Sequence, residues 1–430
     1  MIEHELRRQV VTEMHLRKWP VVHPPSLIIQ WVRSVLPKER DKEMFHLHQL
    51  SGQVDTSLHP SFLEGVLQDG ILFAWERQSE GSSLTLFIPN APMDSFIEPT
   101  REQQWNAIVD WGEHLPGRVI RATRIWVANN DEEAERAVSA AGIGPDEMVS
   151  CTIAHRARLW SDFRIHTNGY GSLVIAANGT DPRDLSRSLQ RLQELGNYRN
   201  RALLGLPIAQ ENWSKLNEIE TRLQEISNHL SDPEQTDDSL LTEISEIQGR
   251  LTAVATATNF RMSATAAYAT LVEERLEELA PGAIEGHASL VDFTQRRFRP
   301  AIRTCAALSS RIESLSARAG QITSLLRTRV ETRIENQNGQ LLRSMESSAR
   351  RQLRLQELIE NFSILALSYY AVGLLHYILN GVTSLSEETR DHATAALVPI
   401  VLLVIWLSVK TVKHRFVDRL DQPIARMPME

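Results

Sequence analysis

The sequence predicts an α+β head, a long coiled-coil-like helical stalk and two transmembrane helices at the C-terminal end. Three observations predict it. Residues 1–205 mix short β-rich runs with helical periods. From about residue 208 the strand signals vanish, and Leu, Ile, Ala, Glu and Arg dominate. The last fifth holds two stretches without Asp, Glu, Lys or Arg, Phe362–Leu379 and Ala393–Val409. A helix rises about 1.5 Å per residue, so about 20 residues cross a hydrocarbon core of about 30 Å, and both stretches approach that length. The expected division is 1–205 head, 206–361 stalk, 362–412 transmembrane hairpin and 413–430 basic tail.

In the head, helical periods cover Ile2–Lys18, Pro25–Leu36 and Glu39–Gly52. Strands are expected over Ser61–Leu67, Ile71–Arg77, Leu84–Ile88, Val119–Val127, Met148–Ala154, Ala157–His166 and Ser172–Ala177. Turn signals separate them at Asp69-Gly70, Glu80-Gly81, Pro89-Asn90 and Asn168-Gly169. The Asp-Gly and Asn-Gly pairs suit tight hairpins, since those residue types reach positive φ. Helices are expected over Arg101–His114 and Glu132–Ala141. Arg183–Leu204 closes the head as an amphipathic helix, with Leu185, Leu189, Leu192 and Leu195 on one side.

Helices over Ala209–Leu230, Ser239–Ala280 and Ala288–Asn361 build the stalk. Ser231-Asp232-Pro233 and Pro281-Gly282 break them, and Pro300 kinks the third or marks its start. After Pro300 the apolar positions run Ile312, Leu315, Ala319, Ile322, Leu326, Val330, Ile334, Leu341, Met345. Steps of three and four make a coiled-coil-like seam, which serves either bundle neighbours or another copy. Leu353, Leu355, Leu358 and Ile359 carry it into Phe362, with Gly339 as the one weak point. A continuous helix from Pro300 to Leu379 would be about 120 Å long.

Charge sets the expected orientation. Arg343, Arg350, Arg351 and Arg354 precede the first apolar stretch; Lys410, Lys413, Arg415 and Arg419 follow the second. The connection Asn380–His392 carries Arg390 against Glu387, Glu388 and Asp391. Basic residues near span ends stay on the cytoplasmic side, so both termini are expected in the cytoplasm of a multi-pass inner-membrane protein. Tyr377 and Trp406 fall near opposite membrane surfaces, where such rings settle. The N-terminal run MIEHELRRQVVTEMHLRKWP lacks the apolar core of a signal peptide. Cys151 and Cys305 are the only cysteines, which fits a reducing compartment and no disulfide framework. A net charge of -8 counts against a nucleic-acid partner.

Four runs carry a resemblance that covers nearly the whole chain: Glu13–Pro20, Asp162–Tyr170, Leu192–Arg199 with Ala202–Pro207, and Ser368–Leu374. In these the chain resembles an uncharacterised family of bacterial membrane-anchored proteins, classed as a domain of unknown function, which implies no activity. Its architecture is also similar to the CorA-type magnesium channels, homopentamers whose first spans line the pore and end in Tyr-Gly-Met-Asn. The matching place here reads Tyr377-Ile378-Leu379-Asn380, keeping Tyr and Asn and losing Gly and Met. The resemblance implies an oligomer, a pentamer if CorA-like, in contact with membrane lipid. It also implies Mg2+ or another divalent cation as a transported ion, with Tyr370, Gly373, Tyr377 and Asn380 along the pathway.

A ring of Asn380 amide oxygens could hold a hydrated hard cation, and Glu387, Glu388 and Asp391 would concentrate cations outside. Asn380 serves equally as a helix cap before Gly381, and small residues along the span serve equally for helix packing. Asp162, Arg164 and His166 alternate along an expected strand, as a polar ligand site or as a structural ion pair. His46, His48 and His155 lack the partners of a metal site, and no resident metal or cofactor is expected. His376 is the one potentially charged side chain inside the first span. No GxSxG, P-loop or dinucleotide fingerprint is present, so an enzyme is not expected. The leading expectation is an oligomeric cation channel or transporter; the alternative is a non-catalytic membrane-anchored scaffold or ligand-sensing protein.

Overall fold

The computed structural model describes residues 3–13, 19–49, 53–59, 61–97, 103–144, 147–232, 235–381 and 387–420. Two compact units divide it, Met1–Leu325 and Leu326–Glu430. In order, the first unit carries α1 (Arg7–Glu13), β1 (Ser26–Ser34), α2 (Arg40–His48), β2 (Gln53–His59), β3 (Phe62–Val66), β4 (Leu72–Gln78) and β5 (Gly81–Pro89). Then come α3 (Met93–Ile97), α4 (Gln103–Glu113), β6 (Arg118–Ala128), α5 (Asp131–Ala140), β7 (Val149–Ile153), β8 (Ala157–Ile165) and β9 (Gly171–Ala176). The helices α6 (Pro182–Leu203), α7 (Gly205–His229) and α8 (Asp237–Leu279) follow, then β10 (Gly282–Ala283) and α9 (Leu290–Phe293). A last long helix, α10, spans Arg299–Asn380, and α11 spans Glu387–Leu420.

One ten-stranded sheet runs β10-β7-β8-β9-β6-β1-β5-β4-β3-β2. Every neighbouring pair is antiparallel except β6 and β9. The fold is therefore α+β, as expected, and the seven expected strands form within a few residues of their expected ends. Pro25–Leu36 corrects the reading: it is not a helix but β1, the strand between β5 and β6. Both faces of β1 are covered, so LIIQWV carries apolar residues at successive positions on either side of Gln30 rather than an alternation, and periodicity alone does not separate that from a buried helix.

Two cores lie on the two faces of the sheet. On one, Leu27, Ile29 and Trp31 of β1 pack with Leu47, Phe96, Val109 and Ala137 from the helices α2 to α5. On the other, Ile28, Phe87 and Ile125 pack with Leu185, Leu189, Leu192 and Leu195 of α6. All four leucines are buried, as the amphipathic pattern requires. Asp181 caps α6 by accepting from the Arg183 backbone N–H, with Pro182 at the first position, where its missing N–H costs nothing.

The long helices are part of the same unit as the sheet through residue 325. Gly282 and Ala283, just after α8, pair with β7, and α6 and α8 pack side by side around Ala202, Tyr268, Val272 and Phe298. On α10, Ala301, Cys305, Leu308, Ile312, Leu315, Ala319 and Ile322 are buried at alternating steps of four and three. Arg311 of α10 bonds Glu220 of α7, and Gln248 of α8 bonds Thr323 at 3.2 Å, so within the first unit the seam serves this chain's own helices. Farther along, Ile334, Leu341 and Met345 are exposed. The turn before α10 is a π-helix over Thr294–Phe298, which accommodates Pro300 at the second position of α10.

The second unit contains helices long and apolar enough to cross a membrane, by length and composition. Their most apolar stretches are only 6% buried.

Candidate ligand cleft

The sheet face beneath α6 changes character along β1. Residues opposite one another across the strands form rows. Leu72, Phe87, Ile28 and Ile125 make an apolar row. Two residues on, Ala74, Thr85, Gln30 and Thr123 make a polar one. Two further, Glu76, Ser83, Val32 and Arg121 make a row that ends in charge. The period of two keeps all three rows on one face. Helix α6 answers in kind: its leucines meet the apolar row, while Gln193, Gly196 and Asn197 meet the polar ones.

A hydrogen-bonded network closes this face. Gln30 Nε2 donates to Thr85 Oγ1 at 2.8 Å, and Gln193 Nε2 donates to Thr123 Oγ1 at 3.0 Å. Arg121 Nη1 donates to Asn197 Oδ1 at 2.8 Å and to Gln30 Oε1 at 3.3 Å. Gly196 makes this approach feasible, because a Cβ there would stand 2.7 Å from the Arg121 guanidinium carbon. Burial, and then the nearby charge of Arg199, bring the Arg121 guanidinium down to about 9.

Between the network and solvent lies a narrow cleft, bounded by Gln30, Ser83 and Thr85 of the sheet and by Gln190, Gln193 and Asn197 of α6. Trp19 and Phe62 give it two aromatic walls, and Glu76, Gln78 and Glu194 complete the rim. Its volume is about 20 Å³, room for one water. The Trp19 ring stands edge-on to Phe87 at 4.9 Å, and its backbone N–H reaches Gln190 Oε1 at 3.4 Å. Gln78 Oε1 is buried without a hydrogen-bond partner. Glu194 accepts from Arg275 Nε at 2.7 Å and from Gln190 Nε2 at 3.0 Å. Burial still raises its carboxyl above the usual range, against the pull of Arg275. Arg275 is less enclosed, and Glu194 and Glu278 hold it up despite its own burial. Burial also pushes the Tyr198 hydroxyl up to about 12.

The opposite face of the sheet carries a second buried cluster. Tyr170 accepts from Trp31 Nε1 at 2.9 Å and donates to Glu113, while Arg124 lies 3.9 Å over its ring. Glu43 accepts from Trp75 Nε1 at 3.1 Å and from the Ser82 hydroxyl. Tyr170, Trp31, Trp75 and Glu43 are all hydrogen-bonded, while Arg124 Nε is buried without a partner, and the cluster ties the strands to α2 and α4.

The residues singled out by sequence separate into three groups. Strand β8 is bulged between Ser161 and Ile165, with Phe163 at φ 53°, so the expected alternation of Asp162, Arg164 and His166 is broken. The bulge brings His166 Nε2 within 3.3 Å of Asp162 Oδ2, without a hydrogen bond, and sends Arg164 to Glu147. Asp162 Oδ1 accepts the Arg164 backbone N–H at 3.0 Å, a structural turn. Tyr370 and Tyr377 are exposed, and nothing lies within 4 Å of a Cβ added at Gly373. The side chains of Asn380, Glu387, Glu388 and Asp391 lie outside the described residues. His46 stacks on Trp111 at 5.4 Å, and His48 Nδ1 lies 2.6 Å from the Met44 carbonyl. Among the described residues no three His, Cys, Asp or Glu side chains are grouped to hold a metal.

Sequence reasoning missed Gln30, Arg121 and the glutamines of α6. Gln30 sat in an expected helix, and a lone Arg in an alternating strand reads as solvent-facing.

No curated protein matches the chain. A family model matches residues 2–416, a range that contains all four runs of the resemblance, and the chain therefore belongs to the family described as Protein of unknown function (DUF3422).

Proposed function

We propose that this protein is anchored in a membrane by its two C-terminal apolar helices and that its α+β unit is a ligand-binding, sensing head. One observation carries the anchor. A soluble protein's apolar core helix is mostly buried, whereas the apolar stretches here are 6% buried, with Leu365, Leu374, Leu403 and Val404 all more than half exposed. Apolar surface of that extent is covered by lipid or by other chains. The basic residues flanking both stretches favour the cytoplasmic side of an inner membrane for the segments outside them, with the acidic connection across it. The cleft under α6 supports the sensing half, since it combines convergent polar groups with aromatic walls. Membrane fractionation followed by an alkaline wash tests the anchor: the full chain should stay in the pellet, and its release to the supernatant would remove the reading.

An oligomeric cation pathway of CorA type is the second reading. It is favoured by the unbroken helix from Arg299 into the first apolar stretch, with Tyr370, Gly373, Tyr377 and Asn380 toward its end. The detergent mass decides between them together with divalent-cation flux into liposomes. A pentamer that conducts establishes the pathway; a silent monomer or dimer leaves the sensing head.

A further inference from the structure

Two enclosed arginines, Arg121 behind the cleft and Arg199 close enough for its charge to act on Arg121, lack counter-charges. Arg121 on β6 and Arg199 on α6 are each 7% exposed. Arg121 has only the neutral oxygens of Gln30 and Asn197. Arg199 has no hydrogen bond among the described residues, and its Nη1 is buried without a partner. Its guanidinium lies 4.7 Å over the Phe163 ring and 5.1 Å over the Phe293 ring. No carboxylate pairs with either arginine among the described residues, although elsewhere in the head Arg261 bonds Glu80 at 2.7 and 2.8 Å and Arg275 bonds Glu194. Burial brings the Arg199 guanidinium down to about 10, and the Arg199 charge acts on Arg121.

An enclosed guanidinium keeps its proton at neutral pH, so two of them without an anion are a standing electrostatic penalty. A ligand removes that penalty if it brings about two negative charges and several acceptor oxygens. A phosphoryl group carries about −1.5 to −2 at pH 7 and three such oxygens, and Arg pairs with it through its planar fork. A carboxylate would balance only one of the two. Access is at hand, because Gln30 and Asn197, the two acceptors of Arg121, both line the cleft.

We propose that the head binds a phosphoryl-class oxyanion, with Arg121 as its direct partner in place of Gln30 and Asn197 and Arg199 as the second charge. The cleft widens to admit it, since it now holds one water. This rests on the ligand-binding half of the function proposed above and is independent of the cation pathway.

The test uses the full chain in phosphatidylcholine nanodiscs and reads the melting temperature of the head. Inorganic phosphate should raise it at constant ionic strength against chloride. Arg199→Gln should weaken the half-saturating phosphate concentration about ten- to a hundredfold, the loss of one charge-assisted contact. Without phosphate, Arg199→Gln should melt at or above the wild-type temperature, because an uncompensated charge has gone. Arg199→Lys keeps the charge and should fall between the two, which serves where Arg199→Gln fails to fold. Nanodiscs containing phosphatidic acid form a second arm: a shift there alone assigns the phosphoryl group to a lipid headgroup, and a shift with free phosphate assigns it to a soluble ligand. No response to either, with Arg199→Gln melting lower, overturns the proposal and makes Arg199 a structural cap on its ring pair. A panel of uncharged and cationic small molecules is run beside it. A shift there without a phosphoryl response sinks the oxyanion and keeps the sensing head; silence throughout removes both.

Discussion

Gly196→Ala reverses the usual sign of its substitution. In the interior of a helix, Ala is worth about 1 kcal/mol over Gly. Gly249 in α8 should follow that rule, since nothing lies within 4 Å of a Cβ added there. At Gly196 the added carbon would stand 2.7 Å from the Cζ and Nη2 atoms of Arg121. The guanidinium must retreat by several tenths of an ångström, yet it is enclosed, and its 2.8 Å bond to Asn197 ends on the same turn of α6. Loosening a charged, buried donor costs about 2–5 kcal/mol, so after the helical gain the net loss is about 1–4 kcal/mol. The assay is the melting temperature of the detergent-solubilised full chain, with Gly249→Ala alongside. We expect Gly249→Ala to melt higher than the parent and Gly196→Ala lower. Combining Gly196→Ala with Arg121→Met should recover part of the loss, because the flexible thioether yields to the new methyl. If Gly196→Ala melts as high as Gly249→Ala, the close approach of Arg121 to α6 is wrong, and the polar network with it.

Leu308→Ala, at a fully buried seam position of α10, should cost about 2–5 kcal/mol in thermal or denaturant unfolding. Ile334→Ala, half exposed, should cost well under 1 kcal/mol in a monomeric chain, so a larger loss would show the outer seam to be covered. Glu194 gives a pH dependence. Its folded-state carboxyl sits above its unfolded value, so the native state binds more protons in that window, and stability should fall as pH rises through it. Glu194→Gln should flatten that slope in a series of unfolding curves. Leu403→Arg places a charge in the second apolar stretch at a cost of about 2.5–3.5 kcal/mol on insertion scales, and should reduce the share of chain kept in the alkaline-washed pellet; an unchanged share speaks against that span.

Much of the α+β unit was legible because its strands alternate between clear turn signals. Val119–Val127 is rich in β-branched residues, and Gly70 and Gly169 adopt the positive φ that their turns need. Strand β1 was hidden for the opposite reason: two covered faces erase the alternation. The seam of α10 was legible as a seam, but not which partners it meets, since steps of three and four are the same for an intrachain bundle and for a coiled coil. The cleft was the least legible part. Gln193, Asn197 and Arg199 fall on helix positions that a solvent-facing side would also hold. Only the folded sheet reveals that Gln193 and Asn197 face Thr123 and Arg121 and that Arg199 lies over Phe163.

Three of the runs that carry the family resemblance meet on the sheet face under α6. Trp19 comes from the first, Phe163 from the second, and Gln193, Glu194, Asn197 and Arg199 from the third. They are far apart in sequence, and packing alone would ask only for apolar side chains of suitable volume. Here the meeting point instead collects amides, a paired carboxylate and two enclosed guanidiniums, groups that are costly to bury. The same face of the sheet supplies the cheaper alternative one row away, where Ile28, Phe87 and Ile125 pack against leucines. A chain that can build an apolar interface on that face, and leaves it after a single row, has a use for the polar rows that stability does not provide. Replacing the polar row by the apolar solution gives the corresponding experiment. A joint change of Gln30, Thr85, Thr123 and Gln193 to Leu, Val, Val and Leu, with Arg121 changed to Met so that no guanidinium is left without its Gln30 acceptor, should leave the head folded, with equal or higher thermal stability, while abolishing any ligand-induced shift. A head that unfolds on this repacking would show that the network serves the fold itself.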